Sequence, residues 1–426
     1  MMNNEKYELS AETRRYYILR TLFRGFKKIF TKWKAAMIYV VGMLVLGLLL
    51  QLSCAGADGL AGAIQALLMR ALYIMLFPMV VYVFGHVRGS FRAYRNLVRA
   101  GVTNKAGEAP VLIHRHRDGK AEELTFEIKG IPLDDWRKQR AVIETALNMT
   151  IDRIRQGKDM RTIIIRAVPA YVQFPAVISW DDSFLAEDEA VFRMGKTIAD
   201  EMVEIDIDKQ PMILLAGSTG SGKTNLAICL CQQALLHDAD VKVIDFKGVD
   251  FYDLKKMGVA ILTEPMSILA ALKDAEAEIN RRQQIFEEIE CDKIGTYRAK
   301  TGCDMKRQII LIDECAMLIN YGTSKESKNF SEEVSDLICG IVRVGRAFGV
   351  HLIISTQRPD QRAVPGPIKS NFDVHICGKA DTTLSEIVLG DGRANQLIPK
   401  NAQGRFVMGG DGDDDIVFQA FYVEKR

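Results

Sequence analysis

A glycine-rich loop, LLAGSTGSGKTNL at residues 214–226, constrains this 426-residue chain more than any other stretch. The apolar run before it, MILLA, is typical of a buried strand, and residues 225–236 after it have the composition of a helix. Four residues between them satisfy the spacing GxxxxGK[ST]: Gly217, Gly222, Lys223 and Thr224. A loop of this kind between a strand and a helix binds phosphates, so the sequence predicts a P-loop domain of the α/β class.

The chemistry of this loop predicts ATP and Mg²⁺ as cofactors. Its backbone N–H groups turn inward around the phosphates, Lys223 reaches the β and γ phosphates, and the Thr224 hydroxyl binds magnesium. The residues expected to line the nucleotide are Gly217, Ser218, Thr219, Gly220, Ser221, Gly222, Lys223 and Thr224.

An acidic segment, in addition to the phosphate loop, completes the predicted site. The segment QIILIDE at 308–314 is a buried strand that leads to Asp313 and Glu314. Asp313 is predicted to hold magnesium and Glu314 to polarise the attacking water. A general base beside magnesium favours ATP hydrolysis that drives motion over transfer of phosphate to a small acceptor.

Further apolar segments repeat the order of strand, loop and helix from about residue 190 onward. Strands are predicted over 241–245 (VKVID) and 350–356 (VHLIIST), and the second of these ends at Gln357. This pattern predicts a parallel sheet with helices on both faces.

The N-terminal part of the chain is basic and apolar. Residues 1–105 carry 15 Lys/Arg against 4 Asp/Glu, and the runs 35–52 and 60–85 are nearly free of charge. Each run is about as long as a membrane-spanning helix, which needs roughly 20 residues. Since Lys and Arg flank both runs but not the short link between them, we expect a two-pass protein of the cell membrane with both termini and the ATPase domain in the cytoplasm.

Four segments are predicted in all: a basic segment 1–34, a two-helix membrane hairpin 35–86, a small α+β module 103–180 and the ATPase domain 190–426. In the module, strands are expected over 109–118, 123–130 and 162–168, with a helix over 133–155. No catalytic constellation is evident there, and assembly, partner contact and structural spacing are equally compatible uses. The eight cysteines show no metal-binding spacing, so no metal is expected beyond the magnesium that accompanies the nucleotide.

The order and spacing of several motifs resemble the FtsK/SpoIIIE family of DNA translocases. The motifs are GSTGSGKT, VIDFKG, IILIDE, GRAFGVHLIISTQRPD and IKSN, within residues 190–410. The resemblance implies a RecA-like ATPase that assembles into a hexameric ring and moves double-stranded DNA through its centre. It also implies that Gln357 senses the γ phosphate and that Arg346 acts in a neighbouring subunit's site, with Arg343 as the competing arginine.

The architecture narrows this resemblance. Only two membrane spans are apparent, and no Pro/Gln-rich linker or winged-helix module is recognised. This architecture resembles that of the coupling or transfer ATPases of integrative conjugative elements of Gram-positive bacteria. Such a protein delivers relaxase-bound DNA to a membrane secretion channel. The alternatives are a chromosome-partitioning DNA pump of the same family, a protein-secretion ATPase and a membrane scaffold with a degenerate nucleotide fold. A single phosphate loop disfavours the secretion class, and the intact Lys223, Asp313 and Glu314 disfavour the scaffold.

DNA binding is expected to be confined to few places and to be largely independent of sequence. Residues 106–426 carry 41 Lys/Arg and 50 Asp/Glu, which excludes a generally basic surface. The candidate contacts are Lys325 and Lys328 in a predicted loop 321–330, and Lys247, Lys255 and Lys256 in the stretch FKGVDFYDLKK. A solvated charged face is an equally good interpretation of both groups.

Overall fold

The computed structural model describes residues 11–31, 33–54, 59–127, 129–357, 371–410 and 415–424. The chain divides into two compact units. One comprises residues up to Asp118 with Glu122–Ile151 and Gln156–Arg166, and the other comprises Gly119–Ala121, Asp152–Arg155 and Ala167–Arg426. Parts of several predicted features lie outside the described residues. They are 1–10 and 32 of the basic segment, 55–58 of the membrane hairpin, 128 of the strand 123–130, and 358–370, 411–414 and 425–426 of the ATPase domain, which include parts of TQRPD and IKSN. The predicted segment boundaries stay predictions.

Helices form the N-terminal part of the first unit: α1 (Ala11–Thr31), α2 (Trp33–Cys54), α3 (Gly59–Gly85) and α4 (Ser90–Arg99). Among the described residues, one helical stretch, Ala66–Gly85, is long and apolar enough to cross a membrane. Tyr17–Thr31 and Ala36–Leu49 meet at a bend of 103° and would add a second span only if together they form one. The two-pass hairpin is therefore not confirmed and stays a prediction.

A four-stranded sheet follows, with the strands in the order β1-β2-β4-β3. Its strands are β1 (Val111–Asp118), β2 (Ala121–Glu127), β3 (Met149–Gln156) and β4 (Thr162–Pro169), and its helices are α5 (Leu133–Lys138) and α6 (Arg140–Leu147). The three predicted strands are confirmed, but the predicted helix over 133–155 is wrong from residue 149 onward, where the chain forms β3. Asn148 has a left-handed backbone (φ 53°) that ends α6, and the chain then extends so that Ile151 and Ile154 are buried.

The second unit contains a large sheet in which the described strands follow the order β10-β9-β11-β12-β8-β13-β14-β15-β6-β7, with β5 paired to β15. The strands are β5 (Ile178–Ser179), β6 (Val191–Thr197), β7 (Met202–Asp206), β8 (Met212–Ala216), β9 (Asp240–Ile244), β10 (Ala260–Leu262), β11 (Gln308–Asp313), β12 (Val350–Thr356), β13 (Val374–Cys377), β14 (Arg405–Gly410) and β15 (Ile416–Tyr422).

This sheet is mixed, whereas the sequence predicted a parallel one. The strands from β10 to β13 are parallel, as predicted. The pairs β13–β14, β14–β15, β15–β6 and β6–β7 are antiparallel. The links between β6 and β7 and between β14 and β15 are too short for a crossover, so these neighbours have to run in opposite directions.

Helices cover both faces of the large sheet, as predicted. They are α7 (Lys223–Leu236), α8 (Tyr252–Lys256), α9 (Pro265–Ile289), α10 (Ile294–Thr301), α11 (Cys315–Ile319), α12 (Lys325–Val344), α13 (Thr382–Leu389) and α14 (Arg393–Leu397). Because side chains alternate along a strand, Leu215 of β8 enters the core that contains α7, and Leu214 enters the core that contains α9 and α12. The two cores hold the central strands rigidly between helices.

Candidate nucleotide site

The carboxyl ends of the central parallel strands meet at one edge of the large sheet. Asp313 of β11 lies opposite Ser355 of β12, and Ser355 lies opposite Leu215 of β8. The segments that follow these strands therefore begin at the same level. They contain the predicted phosphate loop, the predicted acidic pair and Gln357, so the sheet brings all three together at one edge.

The phosphate loop follows β8 and turns sharply into α7. Gly222 is the N-cap residue of this helix and has a left-handed backbone (φ 100°). A Cβ atom at this position would lie 3.0 Å from the Cα atom of Gly404, which belongs to the backbone entering β14. Both the backbone angle and the close approach therefore require glycine here.

Two backbone hydrogen bonds fix the loop from outside. The N–H of Ser218 donates to the carbonyl of Lys379 at 2.8 Å, and the N–H of Gly404 donates to the carbonyl of Ser221 at 2.9 Å. In the described part of the chain, the backbone N–H groups of Gly220, Gly222, Lys223 and Thr224 donate to no backbone carbonyl. Free N–H groups at a helix N-terminus attract anions, so the loop is prepared to bind phosphates.

Lys223 is almost fully buried at the start of α7, with 7% of its surface exposed. Burial lowers the pKa of its ammonium group, and the charges of Asp313 and Glu314 oppose that shift. A buried cation that depends on two carboxylates gains further from a phosphate beside it. This environment suits the predicted role of Lys223 at the β and γ phosphates.

Asp313 lies within a group of three carboxylates. One carboxylate oxygen from each of Asp245, Asp250 and Asp313 lies within 4.8 Å of the others. Burial raises the pKa of Asp313, while the Ser355 hydroxyl and the charge of Lys223 oppose the shift. Carboxylate oxygens are the ligands that Mg²⁺ prefers, so the donor set fits the predicted ion.

Asp245 and Asp250 were not among the residues predicted from the sequence to form the site. Asp245 is buried at the end of β9, the parallel neighbour of β11, and accepts a hydrogen bond from the N–H of Lys247 at 2.9 Å. An acidic residue after a strand next to the Asp313 strand is a signal that points to the same edge. Thr224, the other predicted magnesium ligand, lies in the first turn of α7, and its contact with the ion stays a prediction.

Glu314 occupies a strained and well-defined position. Its backbone is left-handed (φ 53°), which is uncommon for a residue with a side chain. Its carboxylate accepts a hydrogen bond from the Thr356 hydroxyl at 3.0 Å and from the N–H of Gln357 at 3.2 and 3.3 Å to its two oxygens. The end of β12 therefore orients the residue predicted to polarise water. Thr356 was not identified from the sequence.

Gln357 connects this carboxylate to the phosphate loop. Its side-chain oxygen accepts a hydrogen bond from the Thr219 hydroxyl at 2.8 Å. Thr219, Gln357 and Glu314 thus form a continuous hydrogen-bonded chain from the loop to the acidic pair. A sensor of the γ phosphate needs such contacts, and the sensing role of Gln357 stays a prediction.

The chain is similar to several known proteins. The FtsK/SpoIIIE family model matches residues 180–361. The DNA translocase FtsK of Clostridium tetani is 31% identical over 222 residues, which are 49% of this chain and 29% of that protein. The solved structure of the pCW3 conjugation coupling protein TcpA, in monomer form with ATPγS, is 32% identical, with a TM-score of 0.59, and the match covers 79% of this chain and 96% of that one.

The chain belongs to the FtsK/SpoIIIE family. Membership confirms the predicted class, that of P-loop ATPases related to DNA translocases. The chain spans under a third of the length of the curated FtsK relatives, 29% for the Clostridium tetani protein and 28% for the Oceanobacillus iheyensis protein, which is 29% identical over 49% of this chain.

The two arginines considered for a role between subunits of an FtsK/SpoIIIE protein lie away from the phosphate loop. Arg346 precedes β12 and Arg343 lies in the last turn of α12, so both lie near the amino ends of the parallel strands. β12 has seven residues, which separates this edge from Gln357 by roughly 20 Å. Neither arginine is therefore placed to reach the phosphates held by its own subunit.

Proposed function

We propose that this chain is a membrane-anchored, ATP-driven translocase of double-stranded DNA and that it serves as the coupling protein of a conjugative transfer system. The observation that carries the proposal is the similarity to a conjugation coupling protein over 96% of that protein's structure. The FtsK relatives align over a much smaller share of their length. The proposal includes delivery of relaxase-bound DNA to a secretion channel.

Each residue at the carboxyl edge of the sheet has a separate role in the proposed ATP hydrolysis. The loop N–H groups and Lys223 bind the β and γ phosphates, while Asp313 and Thr224 would hold Mg²⁺, which neutralises phosphate charge. Glu314, oriented by Thr356 and Gln357, takes a proton from the attacking water.

Release of the γ phosphate alters the contacts open to Gln357. Gln357 is hydrogen-bonded both to Thr219 of the phosphate loop and to Glu314. When Gln357 loses its contact with the phosphate, it therefore shifts the end of β12, which it directly follows. This is the step that we propose couples hydrolysis to movement of DNA.

A ring of six subunits accounts for the placement of Arg346. This side chain lies at the edge of the sheet opposite its own phosphate loop, so it can complete a site only in a neighbouring subunit. An arginine supplied in this way stabilises charge in the transition state and contributes ~10³ or more in rate. Arg343 is the alternative, because it lies at the same edge.

Lysines near the acidic edge are the proposed DNA contacts. Lys247 and Lys256 each lie within 4.0 Å of an aspartate, so part of their positive charge is neutralised by a neighbouring carboxylate. Lys325 and Lys328 are exposed, and the structure corrects their setting, since they lie in the first turns of α12 and not in a loop. Ser324 caps this helix by accepting a hydrogen bond from the N–H of Ser327 at 3.1 Å. The helix cap presents the two lysines on a defined surface.

Transfer between cells tests the proposed role directly. Removal of this chain from its host element should abolish transfer of the element, and the wild-type chain should restore it. The Glu314→Gln chain should not restore transfer, because it binds nucleotide without hydrolysis. Normal transfer with impaired chromosome segregation would instead indicate a partitioning pump, and normal transfer with loss of exported proteins would indicate a secretion ATPase.

A further inference from the structure

An ion pair between a buried arginine and an exposed aspartate lies at the amino edge of the large sheet, opposite the phosphate loop. Arg307, only 5% exposed, immediately precedes β11. Its guanidinium donates to both carboxylate oxygens of Asp208, at 2.6 and 3.1 Å, and its Nε donates to Glu189 at 3.0 Å. A bidentate, charge-assisted contact of this kind fixes both the distance and the angle between its partners.

The pair reaches across one strand of the sheet. Asp208 lies in the turn before β8, and β12 runs between β8 and β11. Arg307 therefore ties the start of β11 to the turn before β8, over the start of β12. That start is where the chain emerges from the segment containing Arg346.

Arg346 is held by the same turn. Its Nε donates to the backbone carbonyl of Asp208 at 3.0 Å, although the side chain is exposed. This bond uses one donor and leaves the terminal guanidinium nitrogens without another hydrogen bond among the described residues. Arg343, also exposed, has no hydrogen bond or ion pair in the part of the chain that the structure describes. The geometry therefore orients Arg346 and not Arg343.

We propose that Arg307 and Asp208 are positioning residues that present Arg346 to the nucleotide site of the next subunit. Arg307 fixes the Asp208 carboxylate, the Asp208 carbonyl fixes Arg346 Nε, and the terminal nitrogens of Arg346 stay available for a phosphate. The inference rests on the proposed function, since it needs an assembly in which the site is completed by a neighbour.

Mixed assemblies of full-length chains separate this role from a general structural one. A reference mixture contains Lys223→Ala chains, which only donate an arginine, and Arg346→Ala chains, which only provide a nucleotide site. Arg307→Gln is then added to the donor chain in one mixture and to the acceptor chain in another. Asp208→Asn is tested in the same way, because its exposed side chain makes misfolding less of a concern, and Lys306→Ala is the control. Lys306 is the neighbour of Arg307, but it is exposed and pairs with Asp238 at 2.7 Å.

We expect the reference mixture to regain ATPase activity. Arg307→Gln and Asp208→Asn should lower that activity roughly ten- to hundredfold in the donor chain, because small displacements of a catalytic group have effects of that size. In the acceptor chain they should change it less than about twofold, and Lys306→Ala should have no effect in either chain.

Two results would overturn the inference. Equal losses in donor and acceptor mixtures would make the pair merely structural, while the function between subunits would stand. Failure of the reference mixture to regain activity, with both chains assembled, would reject the trans role of Arg346 and the positioning pair together.

Discussion

Glu314 and Lys223 allow the sharpest test at the level of single residues. Lys223→Ala removes the buried charge at the phosphates, and Glu314→Gln keeps the side-chain shape but removes the base. Both changes should lower ATP turnover at least about a hundredfold. Only the Glu314→Gln chain should retain ATP binding, which a fluorescent nucleotide titration measures. Turnover near the wild-type rate in either variant would contradict the assigned site.

His351 predicts how stability depends on pH. Burial lowers the pKa of this side chain in β12 to about 3, and the charge of Arg307 shifts it in the same direction. Histidine in the unfolded chain has a pKa of about 6.5, so between these two values the unfolded state binds a proton that the folded state does not. The contribution of His351 to stability is therefore present above pH 6.5 and is lost progressively as the pH falls below it.

Urea unfolding of the wild type and of His351→Phe at pH 7.5 and 5.5 measures this contribution. The free energy of unfolding of the wild type should fall by about 1.4 kcal/mol more than that of the variant over this range. Equal falls would show that His351 stays protonated or becomes accessible in the folded protein.

The predicted site residues differ from the others at this edge in how directly the sequence indicates them. Lys223, Asp313 and Glu314 belong to motifs with fixed spacing, so their positions follow from the sequence. Thr356 and Asp245 lie within the motifs GRAFGVHLIISTQRPD and VIDFKG, but those motifs predicted no role for either residue. Their roles arise from strand register, which places Thr356 beside Glu314 and Asp245 beside Asp313.

The same contrast appears at the level of helices and strands. Apolar runs such as VHLIIST predict buried strands correctly, because a short run rich in β-branched residues suits a strand with both faces covered. The segment 133–155 contains apolar residues at a spacing that fits a helix, but Asn148 interrupts it with a left-handed turn. Antiparallel strands at one side of the large sheet were missed because pairing direction depends on link length and tertiary contacts more than on composition.

The position of α12 leads to a prediction about DNA. If Lys325 and Lys328 bind phosphates, changing both to alanine should reduce the salt dependence of DNA-stimulated ATP hydrolysis by about 0.9 in log–log slope for each phosphate that is no longer neutralised. A salt series on two unrelated duplexes measures this slope. The matched control is Lys273→Ala, since Lys273 is exposed on α9 and pairs with Glu333 at 2.6 Å. An unchanged slope in the double variant would place the DNA-binding residues elsewhere.

At the scale of the whole molecule, the two parts of the chain carry charge of opposite sign. The basic residues 1–105 contrast with the acidic balance of the remainder. A basic segment beside an apolar helix would suit the cytoplasmic face of a membrane. If the acidic ATPase unit binds DNA, as proposed, it has to confine those contacts to a few lysines.

We propose that ATP hydrolysis by this chain moves it along double-stranded DNA. Displacement of a third strand from a DNA triplex tests this most directly, since only a moving protein strips it from the duplex. The wild type in detergent or lipid should displace the third strand with ATP and Mg²⁺ on two duplexes of unrelated sequence, and the Glu314→Gln chain should not. ATP hydrolysis by the wild type without any displacement, under conditions in which the protein binds both duplexes, would contradict the claim.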